Sequence, residues 1–243
     1  VLENSKKFKK NMKNVDYFFR LDDDFEKIAY ELKKDIFVRN ALEMFPGLRL
    51  VRQDPFQCYI SFIVSSNSNI PNIKSRLENL CKMFGLKKIV DGEEFFLFPD
   101  PSELANASIT DIKKCGLGYR AKAVKSASLS VLNGEIDFDF LKKLDYHTAK
   151  KELLKVFGIG NKVADCILLF SLEKLEAFPL DRWMLRILQK YYSKEFQFPT
   201  KTITEKTYEK LHESVVEHFG SYAGYAQQFL FKMEREVNKK KWL

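Results

Sequence analysis

From Phe25 to Val237, nearly every long segment of this chain repeats its apolar residues at helical spacing, and strand-like alternation is almost absent. The pattern predicts helices over Phe25 to Leu32 and Asp35 to Phe45, the second stopped by Pro46-Gly47. Further helices are expected over Phe56 to Ser65 and, after the polar loop Ser65-Ser66-Asn67-Ser68-Asn69, from Pro71 to Phe84. Asp91 to Phe98 reads as a short strand or an irregular connection. Pro101-Ser102-Glu103 and Thr110-Asp111-Ile112 carry N-cap chemistry ahead of short helices. Tyr119 to Leu132 reads as an amphipathic helix with a basic face, followed by Phe138 to Leu144 and Tyr146 to Phe157. Lys162 to Leu172, Asp181 to Tyr192, Thr204 to Phe219 and Ala223 to Val237 complete the set, with a late loop over Phe196 to Thr202 around Pro199.

A chain of this kind is all-α. Helices this short cannot bury so much apolar surface in one bundle, so two helical lobes with a cleft between them are expected. One lobe is expected to hold residues 1–53 and 159–243, and the other residues 54–158, leading into a helical hairpin at about 146–172. With 22 Phe against 10 Gly and 7 Pro, the 243 residues favour a packed core over disorder.

The formal charge of +8 suits a polyanionic partner, because each phosphate neutralised releases counterions. The same excess also fits an ordinary lysine-rich surface. Cys58, Cys81, Cys115 and Cys166 are irregularly spaced, which predicts reduced thiols in an intracellular protein and argues against a four-cysteine iron–sulfur cluster. His147, His212 and His218 share no ligand spacing, so they are assigned to surface or core and no metal is expected. No apolar stretch has membrane-spanning length, and Val1-Leu2-Glu3-Asn4-Ser5-Lys6-Lys7 lacks a signal-peptide core, so a soluble protein is expected. The chain starts at Val1 rather than Met, which leads us to expect an upstream segment.

The segment with most chemistry is Phe157-Gly158-Ile159-Gly160-Asn161-Lys162-Val163-Ala164-Asp165-Cys166, followed by Phe178-Pro179-Leu180-Asp181. Gly158 and Gly160 permit positive φ or close backbone approach, and Ile159 between them can plug the gap between two helices. The second helix then directs its free amides and positive dipole end outward, where a DNA phosphate can dock. An ordinary αα-corner uses the same Gly-x-Gly, so the turn alone does not decide. Asp181 stands where an N-cap carboxylate would start a helix at Arg182. Taken alone, Lys162 also fits a phosphate contact or a solvated surface lysine, Phe231 fits core, and Cys166 fits buried filler.

Together, Phe157 to Cys166 and Phe178 to Asp181 resemble the helix-hairpin-helix plus Gly-Pro-Asp superfamily of DNA glycosylases, with Phe178-Pro179-Leu180 departing from the Gly-Pro pattern. Four further segments are similar to its 8-oxoguanine DNA glycosylase branch. These are Val51-Arg52-Gln53-Asp54-Pro55, Phe62-Ile63-Val64-Ser65-Ser66-Asn67-Ser68-Asn69-Ile70, Gly116-Leu117-Gly118-Tyr119-Arg120-Ala121, and Tyr222-Ala223-Gly224-Tyr225-Ala226-Gln227 with Leu230-Phe231. The match runs in order from about Tyr17 to Val237.

The resemblance implies a bifunctional DNA glycosylase/AP lyase. Lys162 would be its nucleophile, forming a Schiff base that permits β-elimination. Such an amine must be uncharged to attack, which burial beside a helix N-terminus favours. Asp181 would face the oxocarbenium-like sugar. Phe231 and Cys166 would sandwich a flipped purine whose Watson–Crick edge Gln227 reads. Asn67, Tyr119 and Arg120 would fill the vacated stack and hold the orphaned cytosine, while Gly158 and Gly160 contact the DNA backbone. The implied partner is double-stranded DNA containing 8-oxoguanine, bound by a DNA-associated monomer with no cofactor, save a monovalent cation that the hairpin carbonyls could hold. Departures from the family pattern are Asn72 for a second cytosine-reading arginine, Trp183 for a histidine and Glu234 for an aspartate. The match also opens where the family's antiparallel β lobe would be ending. A monofunctional alkyl-purine glycosylase and a non-catalytic DNA-binding module are the rival readings.

Overall fold

The computed structural model describes residues 15–198 and 203–238. The chain forms two compact units, one from the residues up to Gln53 and from Glu173 onward, the other from Asp54 to Leu172. Both are helical.

The first unit opens with α1 (Phe25–Leu32) and α2 (Ile36–Met44). Asp35 starts α2 by accepting from the amides of Phe37 and Val38, both at 2.9 Å. Just before and after these helices lies an ion-pair cluster. Arg52 donates to Asp22 at 2.5 Å, to Asp23 at 3.0 Å, to Glu173 at 3.1 Å and to the carbonyl of Tyr17 at 2.8 Å. Buried Arg20 adds a bond to Glu173 at 2.9 Å. Arg20, Arg52 and Asp23 are largely out of water and are held there only when paired, so the cluster fixes residues 17–23 against Glu173.

The second unit begins at α3 (Pro55–Ser65), capped by Asp54 with Pro55 at its first position. Phe56, Cys58, Tyr59, Ile60, Ile63 and Val64 are all buried, as a helix surrounded by others requires. α4 (Ile70–Phe84) follows, capped by Asn69. Next comes an antiparallel hairpin of β1 (Lys87–Val90) and β2 (Glu93–Phe96), pairing Lys87 with Phe96 and Val90 with Glu93. Asp91 and Gly92 turn it with φ of 51° and 85°, the left-handed pair that a two-residue hairpin loop demands. The strand expected within Asp91 to Phe98 thus has a partner at Lys87–Val90 that the sequence reading did not find.

α5 (Pro101–Asn106) and α6 (Ile109–Ile112) are capped by Asp100 and Ser108. Pro101-Ser102-Glu103 and Thr110-Asp111-Ile112, expected to lie ahead of these helices, lie inside them. Glu103 instead reaches back to the Asp100 amide at 3.0 Å. A π-turn at Lys113–Leu117 leads into α7 (Arg120–Leu132). The buried side of α7 is built from small residues, Ala121, Ala123, Ala127, Ser128 and Ser130, which let α3 and α5 approach closely. α8 (Phe138–Lys143), α9 (Tyr146–Leu154) and α10 (Asn161–Ser171) complete the unit. The expected lobe change after residue 158 falls instead after Leu172. The reason is packing: α10 lies against α3 and α9, so the whole helix stays with the second unit.

The chain then returns to the first unit with α11 (Arg182–Tyr191), α12 (Glu205–Phe219) and α13 (Ala223–Val237). α13 packs against α2, α11 and α12 and buries Tyr225, Gln227, Phe229, Leu230 and Met233. The expected loop from Phe196 to Thr202 lies partly, and the segment Val1 to Lys7 wholly, outside the described residues.

Candidate active site

In the second unit the site is built on the turn between α9 and α10. Gly158 has φ of 91°, and a Cβ added there would stand 2.4 Å from the Cβ of Ala123. Glycine is therefore required by conformation and by space. Of the two uses that glycine permits, Gly160 does not take the positive φ. Its backbone is extended (φ −104°, ψ 176°), and an added Cβ would meet nothing within 4 Å. Ile159 is buried at 6 % exposure. Gly160 is the N-cap of α10 and offers no side chain to its first amides. These donors are left for an outside acceptor, at the positive end of the helix dipole.

Beneath the turn, the two helices are pinned by buried polar groups. Lys150 donates to Tyr146 Oη at 2.9 Å, and Tyr146 donates to Asp165 at 2.6 Å. Lys150 and Asp165 also pair directly at 3.0 Å.

Lys162 is the second residue of α10 and is half-buried. Its Nζ stands 5.2 Å from the centroid of the Phe62 ring, supplied by α3. Phe62 stacks in turn on Phe170, with centroids 5.5 Å apart and planes 13° from parallel. Among the described residues of this unit, no carboxylate pairs with Lys162. Cys166 follows one helical turn later and is 3 % exposed. It neighbours Cys58, whose thiol burial pushes far above the ordinary range, a hydrogen bond with Ser171 opposing. All four cysteines are free thiols.

The polar loop after α3 forms a second part of this unit's site. Asn67 is exposed with φ of 48°. Arg120 holds the loop from beneath: Nε donates to the Ser66 carbonyl at 2.8 Å, and Nη2 donates to Ser66 O and, at 3.1 Å, to Asn67 O. Its guanidinium lies 4.4 Å from the ring centroid of Tyr119, which is 65 % exposed. Arg120 is thus itself buried, and its visible work is to shape the loop that presents Asn67. Sequence reasoning missed Arg76, which donates to Ser68 Oγ at 2.6 Å and to the Gly116 carbonyl at 2.9 Å. An arginine between residues of a polar helix face gave no signal of this.

In the first unit, Asp181 caps α11, accepting from the amides of Trp183 at 2.9 Å and Met184 at 2.8 Å. The segment that delivers it is itself held. The Phe178 amide donates to His212 Nε2 at 3.2 Å, and the Leu180 amide donates to Tyr208 Oη at 3.0 Å. Gln227, 5 % exposed, and half-buried Phe231 lie one turn apart on α13. Gln227 Oε1 accepts from Gln228 Nε2. Another turn on, Glu234 accepts from Lys190 Nζ and Tyr191 Oη, both at 2.8 Å, and from Asn238 at 2.7 Å. The second unit therefore brings Lys162, Cys166, Gly158 and Gly160 onto one hairpin and Asn67, Tyr119 and Arg120 onto one loop cluster. Asp181, Gln227 and Phe231 belong to the first.

A family model described as HhH-GPD superfamily base excision DNA repair protein matches residues 60–214, hairpin and Asp181 included. This chain belongs to that family. Among its relatives is the probable N-glycosylase/DNA lyase of Methanothermobacter thermautotrophicus, 31 % identical over 91 % of this chain and 74 % of that protein. N-glycosylase/DNA lyase OGG1 of Arabidopsis thaliana is 33 % identical over 85 % of the chain, which spans only 57 % of that longer protein. In three dimensions the chain is similar to Clostridium acetobutylicum 8-oxoguanine glycosylase/lyase in complex with dsDNA containing cytosine opposite to 8-oxoG. The two share a TM-score of 0.85 and 35 % identity over 94 % of this chain and 76 % of that one. The helical architecture is thus that of HhH-GPD proteins. Among the described residues, no group of three His, Cys, Asp or Glu is placed to hold a metal ion, and no helix is long and apolar enough to cross a membrane.

Proposed function

We propose that this protein is a bifunctional DNA glycosylase/AP lyase that excises 8-oxoguanine from duplex DNA, with Lys162 as nucleophile. One observation carries the reading: Lys162 stands at the second position of α10, directly after the hairpin, against an aromatic face rather than a carboxylate of its own unit. An amine so placed is not tied into an ion pair with its own unit and is available as a nucleophile.

The neutral amine attacks C1′ of the damaged nucleotide, and the glycosidic bond breaks as the C–N bond forms. Asp181, held in place by the Trp183 and Met184 amides, stabilises the positive charge that develops on the sugar. The sugar ring then opens to give a Schiff base between C1′ and Nζ. Loss of a C2′ proton expels the 3′ phosphate by β-elimination, and water hydrolyses the imine. Before this the base must leave the stack, and the residues assigned to it are Cys166 in the second unit and Phe231 and Gln227 in the first. Asn67 and Tyr119 enter the gap on the loop that Arg120 supports. The uncapped amides after Gly160 receive a phosphate of the strand. The reaction requires no cofactor, though the hairpin carbonyls and the buried, unpartnered Asn161 Oδ1 are oxygens that could hold a monovalent cation. The protein would act as a DNA-associated monomer.

Borohydride trapping on a duplex containing 8-oxoguanine opposite cytosine tests the reading. A covalent enzyme–DNA adduct is expected, and its absence would refute the Schiff base and favour a monofunctional alkyl-purine glycosylase. Lys162→Gln should abolish cleavage while keeping salt-sensitive duplex binding. Binding with no cleavage by the unmodified protein would point to a non-catalytic module.

A further inference from the structure

Phe62 has no role in the chemistry just described, yet it is the residue against which the nucleophile rests. The geometry points to Phe62 as a positioning residue that aims the Lys162 amine, an inference that rests on Lys162 being the nucleophile. Nζ lies 5.2 Å from the ring centroid, inside the range where an ammonium is drawn to an aromatic face. The ring is not free to drift, because Phe170 stacks on it at 5.5 Å and 13°. Lys162 and Phe170 both come from α10, two turns apart, and Phe62 comes from α3, which packs against that helix. The brace and the nucleophile therefore share one rigid element.

A lysine has four rotatable bonds, and leaving them free would scatter the amine over many positions. A carboxylate would hold it still but would favour the ammonium, which cannot attack. The phenyl face offers a third arrangement. It attracts the ammonium modestly and packs against the neutral amine and its methylene stem, and it has no lone pair to retain the proton. The nucleophile is thereby oriented in either protonation state.

The test uses the intact protein in single-turnover excision and borohydride trapping on the 8-oxoguanine·cytosine duplex, with duplex affinity and thermal melting measured in parallel. Phe62→Leu keeps an apolar side chain but removes the ring. It should lower the trapping rate about fivefold or more, with affinity held within about twofold. Phe62→Tyr keeps the face and should return the rate to near the unmodified level. Phe170→Leu removes only the brace and should give a smaller fall. Trapping by Phe62→Leu at the unmodified rate would overturn the proposal, as would an equal loss in Phe62→Leu and Phe62→Tyr. No adduct from the unmodified protein would instead refute the lysine chemistry itself.

Discussion

The ammonium of Lys150 on α9 stands 3.0 Å from a carboxylate oxygen of Asp165 on α10, and that aspartate has no solvent exposure. The pair joins the two helices that flank the hairpin. Removing one member of such a pair leaves charge in a medium that solvates it poorly, which costs more than the pair contributes when intact. Lys150→Met should destabilise the protein by about 3 kcal/mol in urea unfolding. Adding Asp165→Leu to that variant should recover part of the loss, since no buried carboxylate remains.

The two hairpin glycines should separate stability from DNA binding. Gly158→Ala forces a Cβ into the left-handed region and against Ala123, and should cost about 2 kcal/mol or more. Gly160→Ala meets open space and an extended backbone, so its stability cost should stay under about 1 kcal/mol. The added methyl should nevertheless weaken duplex binding, measured by fluorescence anisotropy, if a phosphate approaches that backbone.

Asp181 combines a cap with a charge, and two substitutions separate them. Asp181→Asn keeps an oxygen for the Trp183 and Met184 amides and should melt within a few degrees of the unmodified protein. Its single-turnover excision should still fall by about 10²-fold or more if, as proposed, its charge faces the sugar. Asp181→Ala should show that same loss and, in addition, about 1 kcal/mol of destabilisation.

Acid sensitivity should trace in part to Asp35. Burial pushes its carboxyl up, but bonds with His218, the Val38 amide and Tyr192 outweigh this and hold it below its ordinary value. A group depressed on folding stabilises the protein above its unfolded pKa, and that contribution is lost as pH falls through the lower folded value. Urea unfolding from about pH 5 down to pH 2 should show the loss beginning near pH 4. Asp35→Asn should flatten that part of the profile. An unchanged slope in the variant would exclude Asp35 as its source.

How much of this was legible depends on range along the chain. The helices were readable because a 3.6-residue period is written into consecutive residues, as in Phe25–Leu32 and Ala223–Val237. Gly158 and Asp181 were readable because a turn and a cap each need a particular residue at a fixed local position. The strand β1 was not, since its four residues are all exposed and show no alternation of burial. The local signal for it is the Asp91-Gly92 pair, which a two-residue hairpin loop favours.

By itself, then, the sequence determined an all-α chain with a glycine hairpin followed by a lysine and, later, a capping aspartate. Only the tertiary structure decided that Phe62 lies against Lys162, that Arg120 and Arg76 hold the Asn67 loop, that Lys150 neutralises Asp165, and that α10 belongs with α3. Backbone periodicity and capping act within a few residues, so local sequence encodes them. A side chain's partner across 50 or 100 residues is chosen by packing, which depends on every neighbour at once.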